Sequence, residues 1–281
     1  MIEEHGRRQN IRRVWLYVLI FFLCGIFIFP AVWTFTNSLQ SIAGPVGLFP
    51  TSIHWNNYVR AVTMIPFGRY LINSFIIVGL AAGIGTISSA FVGYGFARLK
   101  APGKSVLFIA VLATMMLPGI VTQIPTYILF SHMGLTNTYL PWLFWGIGGN
   151  AFFIFLYRQF FMGIPVELEE AARLDGCSSL GIFWRIFIPL SFPIIATTGI
   201  LSFQGSWSDA LTPFMFLSTG QWPLATALIG SSDYSLPSHP WVPLIPVVDA
   251  ATMLFVIPIL LLFFFGQRFI IQGVVTTGLK G

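Results

Sequence analysis

Apolar residues fill six long runs of this chain, and the charged residues gather between them. The runs cover about residues 14–36, 70–97, 105–130, 139–161, 188–208 and 244–266. An α-helix rises 1.5 Å per residue, so about 20 apolar residues cross the roughly 30 Å hydrocarbon layer of a membrane. The pattern therefore predicts an all-α integral membrane protein, with six transmembrane helices in one domain over residues 1–281.

Two features interrupt this regular pattern. Pro118 and Pro125 lie inside the third run, and a proline frees a backbone carbonyl and bends a helix. Such a bend is tolerated in a membrane only beside protein or a water-lined path. Residues 208–243, between the fifth and sixth runs, are rich in Trp, Pro and Ser and are expected to form a loop.

The segment 162–188 is the longest charged island of the chain. Pro165 suits the first turn of a helix, and Gly176 suits the left-handed residue that ends one. Glu169 and Arg173 are four residues apart, so we expect them to pair on one helix face. Another face, small and flat enough for a partner to grip, is predicted to carry Leu168, Ala171, Ala172 and Asp175.

Composition agrees with a membrane protein. Hydrophobic residues make up 56% of the chain and charged residues 8%, whereas a soluble domain carries about 25% charged residues. The first apolar run is longer than the roughly 7–15 residues of a signal peptide's apolar region. We therefore expect it to remain as an uncleaved span.

The distribution of basic residues predicts the orientation. Cytoplasmic loops of membrane proteins carry an excess of Lys and Arg. If the N-terminus is cytoplasmic, twelve of the fourteen Lys and Arg residues fall on the cytoplasmic side, and only Arg60 and Arg69 fall outside. Both termini and the charged segment are therefore expected in the cytoplasm.

The sequence carries no recognisable hydrolytic site. Gly103, Lys104 and Ser105 look like the end of a phosphate-binding P-loop, but the first glycine of that motif is replaced by Arg98. A nucleophile elbow, a zinc motif and paired intramembrane carboxylates are all missing. We expect a chain that is not an enzyme and binds no metal, cofactor or nucleic acid, so that either the energy source lies in another chain or transport is passive.

Polar side chains inside apolar spans cost free energy unless they are paired or hydrated, which makes them candidates for a solute path. The candidates are Asn150, Gln204, Trp207 and Asp209. A sugar suits such a path, because an aromatic face packs on its C–H surface while amides and carboxylates bind its hydroxyl groups. The alternative is that these side chains only form hydrogen bonds between helices.

The charged segment also resembles that of a known family. The residues that carry the resemblance are Glu170, Ala171, Ala172, Asp175, Gly176, Phe183, Ile186, Pro189, Leu190 and Pro193. In this order and spacing they resemble the EAA loop of binding-protein-dependent ABC importer permeases. In that family the loop forms a coupling helix, which sits in a cleft of the ATP-binding subunit.

The resemblance extends from about residue 45 to the end of the chain. It rests on residues 57–58, 73–74, 93–98, 102–104, 116–118, 124–125, 134–135, 207–209 and 273–281. These segments are similar to the carbohydrate permeases, above all to the maltose-type second permease subunits. This sequence departs slightly from the family pattern at Gly95 and Cys177, where Ala is common, and at Ser208–Asp209, where Asn-Glu is common.

The resemblance implies a type I ABC importer permease fold and assigns roles to particular residues. Those expected to couple to the ATPase are Glu167, Glu170, Ala171, Ala172, Asp175, Gly176 and, in the C-terminal tail, Lys280. The implied partners are a second homologous permease, a dimer of ATPase subunits that bind ATP and Mg, and an extracytoplasmic solute-binding protein.

The implied location is the cytoplasmic (inner) membrane of a prokaryote, with membrane lipid around the spans. The implied substrate is a sugar of di- or oligosaccharide size. Two alternatives stay open: an ABC permease for a glycerol-phosphate-type substrate and, from another class, a stand-alone secondary transporter or channel.

Overall fold

The computed structural model describes residues 2–42, 49, 52–230, 234–236 and 239–278, and the side chains of 13–42, 49, 52–230, 234–235 and 244–269. Helices account for most of these residues. In chain order they are α1 (Ile2–Ser38), α2 (Asn56–Thr63), α3 (Phe67–Val78), α4 (Ile84–Arg98), α5 (Lys104–Thr114), α6 (Gly119–His132), α7 (Leu140–Gly148), α8 (Ala151–Met162), α9 (Val166–Leu174), α10 (Ser179–Ile182), α11 (Ile188–Leu190), α12 (Phe192–Ser208), α13 (Leu211–Phe216), α14 (Leu224–Gly230) and α15 (Ile245–Gly278).

Shorter elements complete this list. Two π-helical turns lie within helical stretches, at Gly79–Gly83 and Phe183–Phe187, and one 3₁₀ turn lies at Thr219–Gln221. Two short strands, β1 (Ser235–Leu236) and β2 (His239–Pro243), pair antiparallel. The stretch 208–243, expected to be a loop, therefore contains α13, α14 and a small hairpin.

Four helical stretches among the described residues are long and apolar enough to cross a membrane. They are Arg13–Ser38, Phe67–Arg98, Leu140–Met162 and Ile245–Phe269. Two bent pairs raise the number to six if each pair is one span. These are Lys104–Thr114 with Gly119–His132, bent by 101°, and Ser179–Leu190 with Phe192–Ser208, bent by 80°.

The bend between α5 and α6 has a local cause. The backbone N–H groups of Met115, Met116 and Leu117 each donate to the carbonyl three residues earlier, which tightens the end of α5. Pro118 then takes an extended conformation and precedes α6. The predicted bend at Pro118 is thus confirmed, whereas Pro125 lies inside α6 without ending it.

The chain forms two compact units. Unit 1 comprises residues 1–67 and 231–256, and unit 2 comprises residues 68–230 and 257–281. In unit 1, the amide of Asn57 donates to the carbonyls of Ser38 and Gln40 at 2.9 and 2.8 Å, and the Tyr234 hydroxyl donates to the carbonyl of Ala61 at 2.5 Å. These bonds join α2 to the end of α1 and to the segment before β1.

The core of unit 2 includes a close approach of α4 to α8. A Cβ atom added to Gly93 would lie 2.6 Å from Cβ of Tyr157 and 3.1 Å from the carbonyl oxygen of Ile154. Only a glycine permits this distance between the two helix backbones. The aromatic rings of Tyr94, Phe161 and Phe187 pack edge to face beside this contact.

Candidate functional site

The charged segment forms α9, which begins one residue after Pro165 and ends, as predicted, at Gly176. Pro165 precedes the first turn, which carries Glu167 and Glu169 near the positive end of the helix dipole. Gly176 ends the helix with φ of +81°, and its N–H donates to the carbonyl of Arg173 at 3.0 Å. The N–H of Cys177 donates to the carbonyl of Ala172 at 2.9 Å. These two bonds form a Schellman motif, which glycine favours at its left-handed position.

Glu169 connects α9 to the rest of unit 2. One carboxylate oxygen accepts a hydrogen bond from Arg173 at 2.8 Å, which confirms the predicted pair four residues apart. The other lies 3.9 Å from Nε of Arg98, at the end of α4. Glu169 and Arg98 are both nearly buried, whereas Arg173 is half exposed. Hydrogen bonding to Glu169, together with its negative charge, raises the pKa of the Arg173 guanidinium.

Arg98 is the principal residue that sequence reasoning missed at this site. Its guanidinium donates to the carbonyl of Phe161 at 2.6 Å and to the carbonyl of Ile164, and it lies over the ring of Phe187. It therefore holds the turn between α8 and α9. In the sequence Arg98 counts only as a basic residue after a span, because its partners are 63 and 66 positions away.

The outer face of α9 carries most of the predicted coupling residues. The exposed ones are Glu167, Glu170, Ala171, Asp175 and Gly176. Leu174 was not singled out, although 89% of it is exposed, and it lies beside Asp175 on this face. Lys280, the predicted coupling residue of the tail, lies outside the described residues.

The expectation that Ala172 lies on the same exposed face is wrong. Ala172 is only 8% exposed and packs in a buried cluster with residues of α4, α8 and the Phe183–Phe187 turn. Glu169 faces inward because it pairs with Arg98. Ala172 is three residues further along the helix, so it lies on the same face as Glu169 and also faces inward. This packing attaches α9 to α4 and α8.

A polar cavity of about 590 Å³ lies among α6, α7, α8 and α12. Its polar lining consists of Thr122, Gln123, Thr126, Asn150, Ser202, Ser206, Asp209 and Thr212, and its aromatic lining of Trp142, Trp145 and Phe153. Hydroxyl, amide and carboxylate groups beside indole rings can bind a solute that is rich in hydroxyl groups. Among the residues that line this cavity there is no Lys, Arg or His.

Asn150 and Asp209 are two of the four predicted path residues, and both line this cavity. Asn150 precedes α8, and its side-chain oxygen accepts from the N–H groups of Phe152 and Phe153 at 3.0 and 3.3 Å. The carboxylate of Asp209 accepts from the N–H of Thr212 at 3.0 Å. Both side chains therefore also order the start of a helix.

Gln204 and Trp207 do not line the cavity. Gln204 is exposed on α12. Trp207 is 1% exposed, stacks on Phe203 at 5.3 Å and meets Phe75 edge to face. The indole is large and apolar enough to serve as core, and its burial there removes it from the cavity wall.

Several lining residues were missed by sequence reasoning. Ser202 and Ser206 lie one helical turn apart on α12, so they share a face, and this spacing was a usable signal. Gln123 of α6 donates to the hydroxyl of Thr212 at 3.0 Å, and this pairing across 89 residues has no local signal. Within the described part of the chain, no group of three or more His, Cys, Asp or Glu residues could hold a metal ion.

Comparison with known proteins gives concordant matches. Residues 81–276 match the family model described as binding-protein-dependent transport system inner membrane component. A probable ABC transporter permease protein of Bacillus subtilis is 31% identical over 95% of this chain and 88% of its own length. The arabinooligosaccharides transport system permease protein of Halalkalibacterium halodurans is 29% identical over 95% of this chain and 96% of its own length.

The fold also matches a solved structure. A chain of a bacterial ABC transporter involved in the import of the acidic polysaccharide alginate superposes with a TM-score of 0.78. The match covers 94% of this chain and 98% of that chain, at 23% sequence identity. This likeness shows a common fold.

Proposed function

This chain belongs to the family of binding-protein-dependent transport system inner membrane components, and we propose that it is the transmembrane subunit of an ATP-driven importer for a di- or oligosaccharide. The proposal rests mainly on how α9 is held. Contacts of Arg98 and Ala172 fix this helix to the spans, while its outer face is exposed. A helix mounted in this way can transmit the motion of a bound partner to the membrane helices.

The cavity chemistry supports a sugar as the solute. Its lining combines two tryptophans with hydroxyl and amide groups, and Asp209 is its single charged residue. A phosphate-bearing solute such as a glycerol phosphate is bound most strongly by Arg or Lys, and no Lys or Arg lines this cavity. Relatives whose names refer to arabinooligosaccharides and alpha-glucosides support the same class.

The energy for transport comes, in this proposal, from a separate pair of ATPase subunits that bind ATP and Mg. ATP drives a change of state only if its binding favours one arrangement of the spans. Shifting a two-state equilibrium from 1:99 to 99:1 takes about 5.5 kcal/mol of differential binding. A second permease completes the membrane path, and an extracytoplasmic binding protein delivers the sugar.

The orientation in this proposal follows from the positive charges. With both termini in the cytoplasm, α9 and Arg98 lie on the side where ATPase subunits are present, together with twelve of the fourteen basic residues. The solute path that we propose on this basis includes the polar cavity.

Co-purification tests the proposal. The chain is co-expressed with its genomic neighbours, and ATP hydrolysis is measured with a panel of sugar-loaded binding proteins. We expect an ATPase to co-purify and one sugar to stimulate hydrolysis. Leu174→Glu should reduce the co-purified ATPase at least tenfold, because it places a charge in the apolar part of the contact. Ile229→Glu, at another exposed apolar residue, is the matched control and should leave the amount unchanged.

Two results would contradict the proposal. One is a complex in which Leu174→Glu and Ile229→Glu retain equal amounts of ATPase. The other is a chain that purifies alone and carries solute through liposome membranes without ATP, as a secondary transporter or channel does.

A further inference from the structure

An apolar groove of about 620 Å³ lies between the end of α4, the start of α5 and α10. Its walls include Phe91, Phe96, Leu107 and Leu180, and it shares no residue with the polar cavity. Phe91, Leu107 and Leu180 are each more than half exposed. On a protein embedded in a membrane, such a surface is suited to an acyl chain, because contact with the chain keeps the apolar side chains away from water.

Two lysines lie at one end of this groove. Lys104 lines the groove, and its ammonium donates to the carbonyl of Leu99 at 2.7 Å, which fixes its position. Lys100 is exposed and lines an adjoining cavity that shares Leu99 with the groove. No Asp or Glu lines the groove itself.

The acidic residues of the adjoining cavity do not cancel these charges. Glu169 is paired with Arg98 and Arg173, and Glu170 is the other carboxylate of that cavity. With Lys100 and Lys104 included, the two connected spaces hold four basic and two acidic side chains. The local charge is therefore positive and suited to an anionic headgroup.

We propose that this groove is a binding site for an anionic phospholipid, with one acyl chain against Phe91, Leu107 and Leu180 and the phosphate on Lys100 and Lys104. Apolar contact holds the chain, and the two ammonium groups distinguish an anionic from a zwitterionic headgroup. A lipid bound here touches α4, α5 and α10, and two of these helices, α4 and α10, contact α9. The inference depends on the membrane location of the chain and not on the transported solute.

Gly95 is the residue that leaves room in the groove. It lines the wall, and a Cβ atom added to it meets nothing within 4 Å. A side chain at this position therefore begins in open space at the groove wall, and we expect a larger one to extend into the groove. Gly95→Leu should block the acyl chain and leave the fold intact.

Native mass spectrometry of the full chain tests the site. The chain is equilibrated with equal amounts of phosphatidylglycerol and phosphatidylcholine that carry the same acyl chains. We expect the unchanged chain to retain phosphatidylglycerol preferentially. The double variant Lys100→Gln/Lys104→Gln should lower this preference about thirtyfold, from roughly 1 kcal/mol per basic residue near a membrane surface. Gly95→Leu should lower retention of both lipids.

Matched controls separate the site from general lipid adhesion. Gly25→Leu adds the same side chain on the exposed surface of α1, where a Cβ also meets nothing within 4 Å. Arg60→Gln removes an exposed basic residue elsewhere. Both should bind lipid as the unchanged chain does. Equal retention of the two lipids, or equal losses in the control and groove variants, would overturn the proposal.

A further measurement distinguishes a lipid from a protein partner. If phosphatidylglycerol stays bound when the chain is assembled with the co-expressed subunits, the lipid is the occupant. If assembly displaces it, the groove belongs to a protein interface and the proposal is wrong. Neither result changes the outcome of the Leu174→Glu test, so the lipid site and the transport function fail independently.

Discussion

At the scale of single residues, Arg98 has the most consequential contacts of the α9 region. It joins α4 to the turn before α9 through two backbone carbonyls, and to α9 itself through Glu169. A charge so nearly buried is stable only with such partners. Arg173 contacts the same carboxylate from the solvent side. The two arginines therefore share a partner but differ in burial.

This difference gives the first prediction. Arg98→Gln should destabilise the chain by about 3 kcal/mol, because it leaves the buried Glu169 with one partner and removes the guanidinium donor from the carbonyls of Phe161 and Ile164. Arg173→Gln should cost much less, because the guanidinium of Arg173 lies on the solvent side of the carboxylate, where water screens the pair. The thermal unfolding midpoints of the two variants in the same detergent measure the contrast. Equal midpoints would show that burial of the pair contributes nothing.

Gly93 and Gly95 form a second matched pair. A methyl group at Gly93 collides with Tyr157 and the backbone of α8, whereas one at Gly95 meets open space. Gly93→Ala should therefore destabilise the chain by about 1–3 kcal/mol, the usual cost of overpacking. Gly95→Ala should have no such effect. The thermal unfolding midpoints of both variants measure this contrast. If Gly93→Ala unfolds at the same midpoint as the unchanged chain, α4 and α8 separate easily.

The sequence predicts some contacts of α9 and not others. The pair Glu169–Arg173 and the stop at Gly176 follow local rules, and the structure confirms both. The inward rotation of Ala172 and the contacts of Arg98 depend on residues distant in sequence. An indole suits a core as well as a sugar path, so the sequence could not predict that Trp207 is buried outside the lining of the polar cavity.

At the scale of elements, the bends and turns position the site. The break at Pro118 separates α5, which borders the apolar groove, from α6, which lines the polar cavity. The six apolar runs predicted these helices approximately. They did not predict the angles between the halves of each bent pair, because these angles depend on packing against neighbouring helices.

The end of α9 supports a prediction at this scale. Gly176→Pro cannot adopt φ of +81° and loses the N–H that donates to Arg173. It should unravel the last turn of α9 and abolish ATP-driven uptake, while Gly176→Asn, which tolerates the left-handed conformation, should retain most of it. Uptake of labelled sugar into cells that express each variant is the measurement. Normal uptake by Gly176→Pro would contradict the coupling role of α9.

At the scale of the whole molecule, the predicted class is confirmed. The family match and the structural likeness agree with an all-α integral membrane protein of the type I ABC importer permease fold. Composition and the lengths of the apolar runs were sufficient for the membrane class. The permease family was predicted from the motif of the charged segment, whereas the chemistry of the cavity required the structure, because its lining comes from several separate helices.

In the proposed mechanism, this chain moves a sugar only when an ATPase acts on α9. The most direct measurement is sugar uptake by liposomes that contain the complete transporter, with and without ATP, for the unchanged chain and for Leu174→Glu. We predict uptake that requires ATP and is lost in Leu174→Glu, even though that variant leaves the polar cavity unaltered. Uptake without ATP, or full uptake by Leu174→Glu, would contradict this mechanism.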